Sequence, residues 1–226
     1  MKIAVLTGAG MSAESGLKTF RDSNGLWEGH NVMEVASPEG FAKNPELVLD
    51  FYNQRRRQLL EVDPNIGHIV LAELEHGHEI DIITQNVDDL HERAGSSNVI
   101  HLHGELLKVK STVDEKLILE WKADLNLGDY CEQGHQLRPN IVWFGEAVPL
   151  IDTAIDIVEK AEAVIIVGTS MQVYPAAGLI QYASQNAHIY FVDPKPAISS
   201  SKRITVIAEK ATSGISKVIS QINKTR

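Results

Sequence analysis

A chain of 226 residues, 43% hydrophobic and 23% charged, has the proportions of one ordinary globular domain, or of one large domain carrying a small insertion. Its formal charge of −9 argues against nonspecific nucleic-acid binding, and its single cysteine, Cys131, excludes an internal disulfide and points to a reducing, cytoplasmic setting. No apolar run approaches the roughly 20 residues of a membrane-spanning helix, and the opening run Met1–Gly8 is too short for an export signal.

In chain order, Ile3–Thr7 is predicted as a strand, followed by a glycine turn at Gly8–Ala13 and a loop and helical excursion over about 22–60 that contains a helix at Pro45–Glu61. A helix at Gly67–His76, strands at Ile80–Thr84 and Val99–Leu102, and a polar stretch from Glu105 to Pro139 with weak alternation at Lys116–Trp121 come next. Then follow helix Leu150–Ala161, strand Val164–Val167, helix Pro175–Asn186, strands Ile189–Val192 and Ile204–Ile207, and helix Ser213–Ile222. The strand runs are rich in Ile and Val and several are nearly unbroken, the pattern of strands buried on both faces. The helical runs carry apolar residues at spacings of three and four. Alternation of the two predicts an α/β fold, a doubly wound, Rossmann-like parallel sheet. The two irregular stretches read as insertions. They divide a single catalytic domain, 1–226, into a large lobe of about 1–21, 62–104 and 140–226 and a small lobe of about 22–61 and 105–139, with a cleft between.

Gly8-Ala9-Gly10-Met11-Ser12-Ala13 follows the first strand with the spacing of a dinucleotide turn, where glycine lets backbone approach a pyrophosphate at a helix amino terminus. A tight turn without a ligand has the same pattern. The acidic residue expected about twenty positions later at a second strand end has no counterpart, since Glu28 and Glu34 fall in a loop, which disfavours a hydride-transferring dehydrogenase.

The residues after the turn, Glu14-Ser15-Gly16-Leu17-Lys18-Thr19-Phe20-Arg21-Asp22, complete a pattern that resembles the opening motif of the sirtuin family, Gly-Ala-Gly-x-Ser-x-x-Ser-Gly and a run ending Phe-Arg. Leu17-Lys18 stand where that family usually has Ile-Pro. Three more blocks match in order: Thr84-Gln85-Asn86-Val87-Asp88, His101-Leu102-His103-Gly104, and Gly168-Thr169-Ser170 with Val173 and Pro175. The match is nearest to bacterial members that remove acidic acyl groups. The resemblance implies an NAD-dependent protein-lysine deacylase, a desuccinylase and demalonylase that also deacetylates. It would consume NAD as co-substrate, act as a monomer on acyl-lysine proteins, and release nicotinamide and O-acyl-ADP-ribose.

By that resemblance Gly8, Ala9, Gly10, Ala13, Thr19 and Trp27 bind the cofactor, and Gln85 contacts the ribose near its nicotinamide end. Phe20 and Arg21 lie over that end, shielding the reactive carbon and contacting phosphate respectively, with packing beside a solvated charge as the alternative. Asn86 and Asp88 would hold the nicotinamide amide, with Asn86 counted as catalytic; the bland alternative is that both cap a helix starting near Asp89. Gly168, Thr169, Ser170, Asp193 and Ala211 would form the adenosine end, although the family usually has asparagine where Asp193 stands. His103 is the candidate general base, since an imidazole titrates near neutrality. His101, two residues earlier on a strand, would face the other way.

Tyr52 and Arg55 lie three apart in a helical pattern and share a face, where a phenol and a guanidinium suit a carboxylate. The acidic-acyl sirtuins carry such a pair, with Ala36 as the small residue leaving room, whereas Arg56 and Arg57 read as a solvated face. Val142-Trp143-Phe144-Gly145-Glu146 resembles the segment that takes substrate peptide as an added strand; a core strand is the alternative. The family's zinc-binding Cys-x-x-Cys pairs are missing: Ser111 stands near the first ligand position, and Cys131 with His135 offers two ligands where a structural site needs four. No zinc is therefore expected, the module being held by Leu117, Leu119 and Trp121. The competing functions are an NAD glycohydrolase or ADP-ribosyltransferase, and a noncatalytic NAD or ADP-ribose binding module.

Overall fold

The computed structural model describes residues 1–18, 26–27 and 29–224. In chain order the strands are β1 (Lys2–Thr7), β2 (Leu26–Trp27), β3 (His30–Asn31), β4 (Glu79–Thr84), β5 (Val99–His101), β6 (Gly104–Ser111), β7 (Ile118–Glu120), β8 (Leu137–Ile141), β9 (Ala163–Val167), β10 (His188–Val192) and β11 (Ile204–Ile207). The helices are α1 (Val32–Val35), α2 (Pro38–Lys43), α3 (Pro45–Leu60), α4 (Ile66–Leu74), α5 (Leu90–Arg93), α6 (Ile151–Lys160) and α7 (Ala211–Lys224).

Six strands form one parallel sheet in the order β11-β10-β9-β1-β4-β5. Each predicted strand is present with its ends displaced by no more than one residue. Strand periodicity sends alternate residues to opposite faces. Ile3, Val5, Ile165 and Val167 meet Leu71 of α4 and Ile215 and Val218 of α7 on one side; Ala4, Leu6, Val164 and Ile166 meet Ala154 and Val158 of α6 on the other. All five residues of β9 are buried, as a central strand covered on both faces requires. The predicted helix at Pro175–Asn186 is instead a 3-10 helix, Ala176–Tyr182. Its apolar residues Ala176, Leu179 and Tyr182 recur every third position, a spacing that serves a three-residue turn as well as an α-helix.

A second, antiparallel sheet of order β7-β6-β8 packs with α3, which enters from an Asn44 cap with Pro45 in its first turn. Val48, Phe51, Tyr52 and Leu59 of α3 share one core with Leu106, Leu107, Ile141 and Trp143. A neighbouring cluster joins Leu49, Val109, Leu125, Cys131 and Leu137, with Leu117 and Trp121 against it. Leu119, expected to help hold this module, is exposed, because β7 pairs at the sheet edge with its side chains outward.

Arg56 overturns the expectation of a solvated face. It is fully buried, donating from Nε to the Leu106 carbonyl at 3.2 Å and from Nη1 to Asn53 Oδ1 at 2.6 Å. Asn53 in turn exchanges both amide groups with the Leu125 backbone at 2.9 and 2.8 Å. The Arg56–Asn53 pair thus joins α3 to β6 and to the 125 loop. Arg57 does face outward, at 3.3 Å from Asp124.

Candidate functional site

Strand order reverses between β1 and β9, and ligands of doubly wound sheets bind at the carboxyl ends of strands beside such a point. Two glycine loops meet there. Gly10 N donates to Gly168 O at 2.8 Å, and Gly168 N to Val192 O at 3.0 Å. A Cβ on Gly10 would sit 2.7 Å from the Gly168 Cα, and one on Gly168, whose φ is +64°, would sit 2.3 Å from Met11 N. Only glycine permits this approach. The turn does not open an α-helix: it forms two 3-10 turns, Ala9–Met11 and Ala13–Ser15, ended by Gly16 at φ 105°. Asn65, the cap of α4, fastens it by donating to Met11 O at 2.8 Å and Ser15 Oγ at 3.1 Å.

A cavity of about 870 Å³ runs from this seam to the second sheet. It is lined by Gly8, Ala9, Gly10, Ala13, Trp27, Ala36, Tyr52, Arg55, Gln85, Asn86, Asp88, His103, Val142, Trp143, Phe144, Gly145, Gly168, Thr169, Ser170 and Asp193. Of the remaining sequence candidates, Thr19, Phe20 and Arg21 lie outside the described residues, and Ala211 does not reach the cavity. Ala211 packs in the core under β10 at the start of α7, while its neighbour Lys210 is on the lining.

Behind β4 the chain makes a hydrogen-bonded turn. Asn86 N donates to Thr84 Oγ1 at 3.0 Å, and Asn86 Nδ2 to Gly8 O at 3.2 Å and Ser12 Oγ at 3.1 Å; Ser12 Oγ donates to Asp88 Oδ2 at 2.9 Å. The first glycine loop and the Asn86 turn are therefore one polar unit. Burial pushes the Asp88 carboxyl up to about 6, against the Ser12 hydrogen bond, the Leu90 amide and the charge of His101. The capping alternative accounts for part of this, since Asp88 Oδ1 also accepts from Leu90 N at 3.3 Å, but Asp89, not Asp88, occupies the cap position of α5. Gln85 Nε2 reaches Thr169 Oγ1 at 3.2 Å and ties the second loop to the same turn.

His103 and His101 point apart. His103 lines the cavity with Nδ1 at 3.0 Å from the Gln85 carbonyl oxygen. A carbonyl only accepts, so the proton sits on Nδ1 and the Nε2 lone pair is left available. Burial draws this histidine below its ordinary value, opposed by the same carbonyl, so the ring is neutral at pH 7.

At the other end, Tyr52 Oη accepts from Trp143 Nε1 at 3.0 Å, and burial raises its phenol well above the ordinary range, keeping it a neutral donor. The Arg55 guanidinium stacks 3.5 Å above the Phe51 ring and donates to the Phe51 carbonyl at 2.5 Å. Trp143 is held from beneath by Arg138, 3.4 Å from its ring, which forks onto Glu146 at 2.6 and 3.0 Å. The Val142–Glu146 segment is not a strand. It turns at Gly145, φ 91°, because Glu146 accepts from Trp143 N at 2.8 Å. Val142 N and Phe144 N are bonded to His103 O and Ala36 O, each at 2.9 Å.

Ser111 and Cys131 do converge, their Oγ and Sγ 3.8 Å apart, inside the apolar cluster of Leu49, Val109, Leu125 and Leu137. His135 meets Cys131 through its carbonyl, which accepts from Cys131 N at 2.8 Å. Sequence reasoning missed Ser12 as a site member, although it sits inside the quoted glycine motif, and missed Lys195 and Lys210, which line the Asp193 end. Single lysines in loops carry no signal that could have found them.

The comparisons with known proteins agree with this geometry. The model described as Sir2 family matches residues 8–175. An NAD-dependent protein deacylase of Helicobacter pylori is 64% identical over 193 residues, 85% of this chain and 84% of that protein. One of Bacteroides thetaiotaomicron is 53% identical over 223 residues, 96% and 95% of the two chains. The crystal structure of a Sir2 homolog–NAD complex superposes with a TM-score of 0.88 at 39% identity, over 99% of this chain and 90% of that one. With two glycine loops at the switch point, a polar turn behind β4 and a neutral histidine facing the cavity, this chain belongs to the Sir2 family.

Proposed function

We propose that this Sir2-family chain, an NAD-dependent protein deacylase, acts best on lysines carrying acidic acyl groups such as succinyl and malonyl, and acts on acetyl-lysine more weakly. The observation that carries this reading is the placement of Tyr52 and Arg55 on the wall of the cavity that also holds Asn86 and His103. With one Tyr52 lone pair taken by Trp143, its hydroxyl proton is free to be donated, and the Arg55 fork offers the matching charge. Ala36, beside them, keeps the space a longer chain needs.

The residues at the switch point fit a dinucleotide. Gly8, Gly10 and Gly168 leave bare backbone where a Cβ would collide, and Thr169, Ser170 and Asp193 continue along the same wall. NAD, consumed as co-substrate, would supply the ribose carbon, which forms a bond to the acyl oxygen as its bond to nicotinamide breaks. Asn86 and Asp88 would hold the amide of the departing ring, Gln85 the adjacent ribose, and His103 Nε2 would accept the proton of a ribose hydroxyl. Holding both reactants in attack geometry supplies about 7–11 kcal/mol of the barrier in such reactions. The whole chain works as one catalytic domain, a cytoplasmic monomer, with the cleft between its two lobes as the site.

Purified chain, NAD and matched acetyl, succinyl and malonyl peptides, followed by mass spectrometry, test the proposal. Arg55→Met is expected to cut desuccinylation roughly ten- to a hundredfold, the value of a charge-assisted hydrogen bond, and to reduce deacetylation much less. Equal losses on both substrates would remove the pocket argument. Nicotinamide release without any acyl peptide, at the rate seen with it, would favour an NAD glycohydrolase instead.

The second sheet is proposed to need no zinc, with the apolar cluster around Cys131 doing the work of a metal. Prolonged dialysis against a strong chelator is expected to leave Tm and activity unchanged; a stoichiometric metal in the purified protein, or a fall in Tm on chelation, would overturn this.

A further inference from the structure

His101, the last residue of β5, is turned away from the cavity but reaches it through the main chain. Its Nδ1 lies 3.0 Å from the Asn86 carbonyl oxygen and its Nε2 lies 2.7 Å from Glu92 Oε1. A carbonyl has no proton to give. A carboxylate has none either, and Glu92 is held below its ordinary value: burial opposes this, and the hydrogen bond and charge of His101 outweigh it. Each ring nitrogen therefore faces an acceptor, and the arrangement is satisfied only when both carry hydrogen.

We propose that His101 is a positioning residue that works as a standing imidazolium, bracing the Asn86 carbonyl against Glu92 so that the Gln85–Asp88 turn keeps its shape for the pyridine end of NAD. The role rests on the assignment of that turn proposed above. Neutral His103 and cationic His101, two residues apart, then divide the work: one accepts a proton in the cavity, the other supplies a fixed charge behind its wall.

The charged and titratable groups around the ring are Glu92 and His91 on α5, Glu105 on β6 and Asp88 in the turn; Lys108 pairs with Glu105 at 2.8 Å. Burial alone would lower His101, but the hydrogen bond and charge of Glu92, then the Asn86 carbonyl and Glu105, hold it above the ordinary histidine value. Its charge also acts on Asp88, where it opposes the upward push of burial. Loss of the charge would loosen the Asn86 carbonyl and turn Asp88 toward a neutral acid, both at the nicotinamide end.

Nitrogen-15 NMR of the histidine rings in the free protein at pH 7.5 reads the protonation state directly, and the expected signature at His101 is two protonated nitrogens. Glu92→Gln keeps the shape and an acceptor while removing the charge. It is expected to convert the ring to a neutral form at that pH and raise KM for NAD roughly tenfold, the worth of a charge-assisted contact, with a smaller change in kcat. The alkaline decline of kcat/KM for NAD, which follows deprotonation of His101 in the wild type, should move to lower pH. His101→Gln should show the raised KM and no such decline; if it fails to fold, the ring spectra and the Glu92→Gln kinetics still decide. A singly protonated His101 in the wild type overturns the inference, as does a Glu92→Gln protein with a neutral ring and wild-type KM for NAD. The ring measurement needs no cofactor, so a neutral ring is decisive whatever Asn86 binds, whereas an Asn86→Ala protein with wild-type KM overturns the assignment of the turn and the positioning role with it.

Discussion

His103→Gln is expected to lower kcat/KM for deacylation roughly a hundredfold to ten-thousandfold, the range of a lost general base, while NAD binding by calorimetry survives. The reason is specific to this ring. The Gln85 carbonyl, 3.0 Å from Nδ1, fixes the proton on that nitrogen and leaves Nε2 as the acceptor. Because burial draws His103 below the ordinary histidine value, the basic form dominates above that value and is lost only as pH falls below it. Wild-type activity should therefore hold at neutral pH and fall on the acid side. Asp88, pushed up to about 6 by burial, titrates in the same region, so the acid limb belongs to both groups. A His103→Gln protein with wild-type turnover, or a wild-type acid limb centred above the ordinary histidine range, would remove the assignment.

The largest stability effect is expected at Arg56. Arg56→Ala empties the space of a fully buried side chain and takes its donor from the Leu106 carbonyl, while Asn53 Oδ1 keeps only Leu125 N. Burial pulls this guanidinium down to about 10, so it remains a cation at neutral pH, held by acceptors and by the more distant Asp124. A buried acceptor left without its donor typically costs about 1–3 kcal/mol, and the emptied space adds to that. Arg57→Ala, which loses exposed pairs with Asp124 and Asp50 and a 3.4 Å bond to the Asn53 carbonyl, should cost under about 1 kcal/mol. Urea denaturation followed by tryptophan fluorescence distinguishes them; equal small losses would mean that Arg56 is not sealed from water.

The contrast between these neighbours shows where the sequence was legible. Runs such as Ala163–Val167 declare themselves because a strand covered on both faces must be apolar throughout, and the six runs rich in Ile and Val match the six strands of the sheet. Arg56 was misread because three consecutive arginines look like one solvated patch. The helical stripe Leu49, Tyr52, Arg56 and Leu59, extended by one turn, places it on the buried face. Candidate residues carried by short motifs, such as Gly8, Asn86 and His103, were legible because close backbone approach and proton transfer demand particular residue types, and the fold brings all three to one cavity. Ser12, Lys195 and Trp143's grip on Tyr52 depend on which loops the fold brings together, and no local pattern records that. The Val142–Glu146 turn was missed for a similar reason, since a carboxylate three residues ahead folded back on Trp143 N cannot be told from a strand residue by alternation.

The seam of Gly8, Gly10 and Gly168 also divides the walls of the cavity by how each is joined. Main chain meets main chain there, with only the Thr169 side chain beside Gly8, so the two loops and the strands that feed them form one unit. The opposite jaw is hung differently, with Phe144 N on the Ala36 carbonyl and an indole on a phenol joining the Val142–Glu146 turn to the helical segment below it. One wall of the cavity is thus built from backbone against backbone, while the other is tied through side chains and single hydrogen bonds.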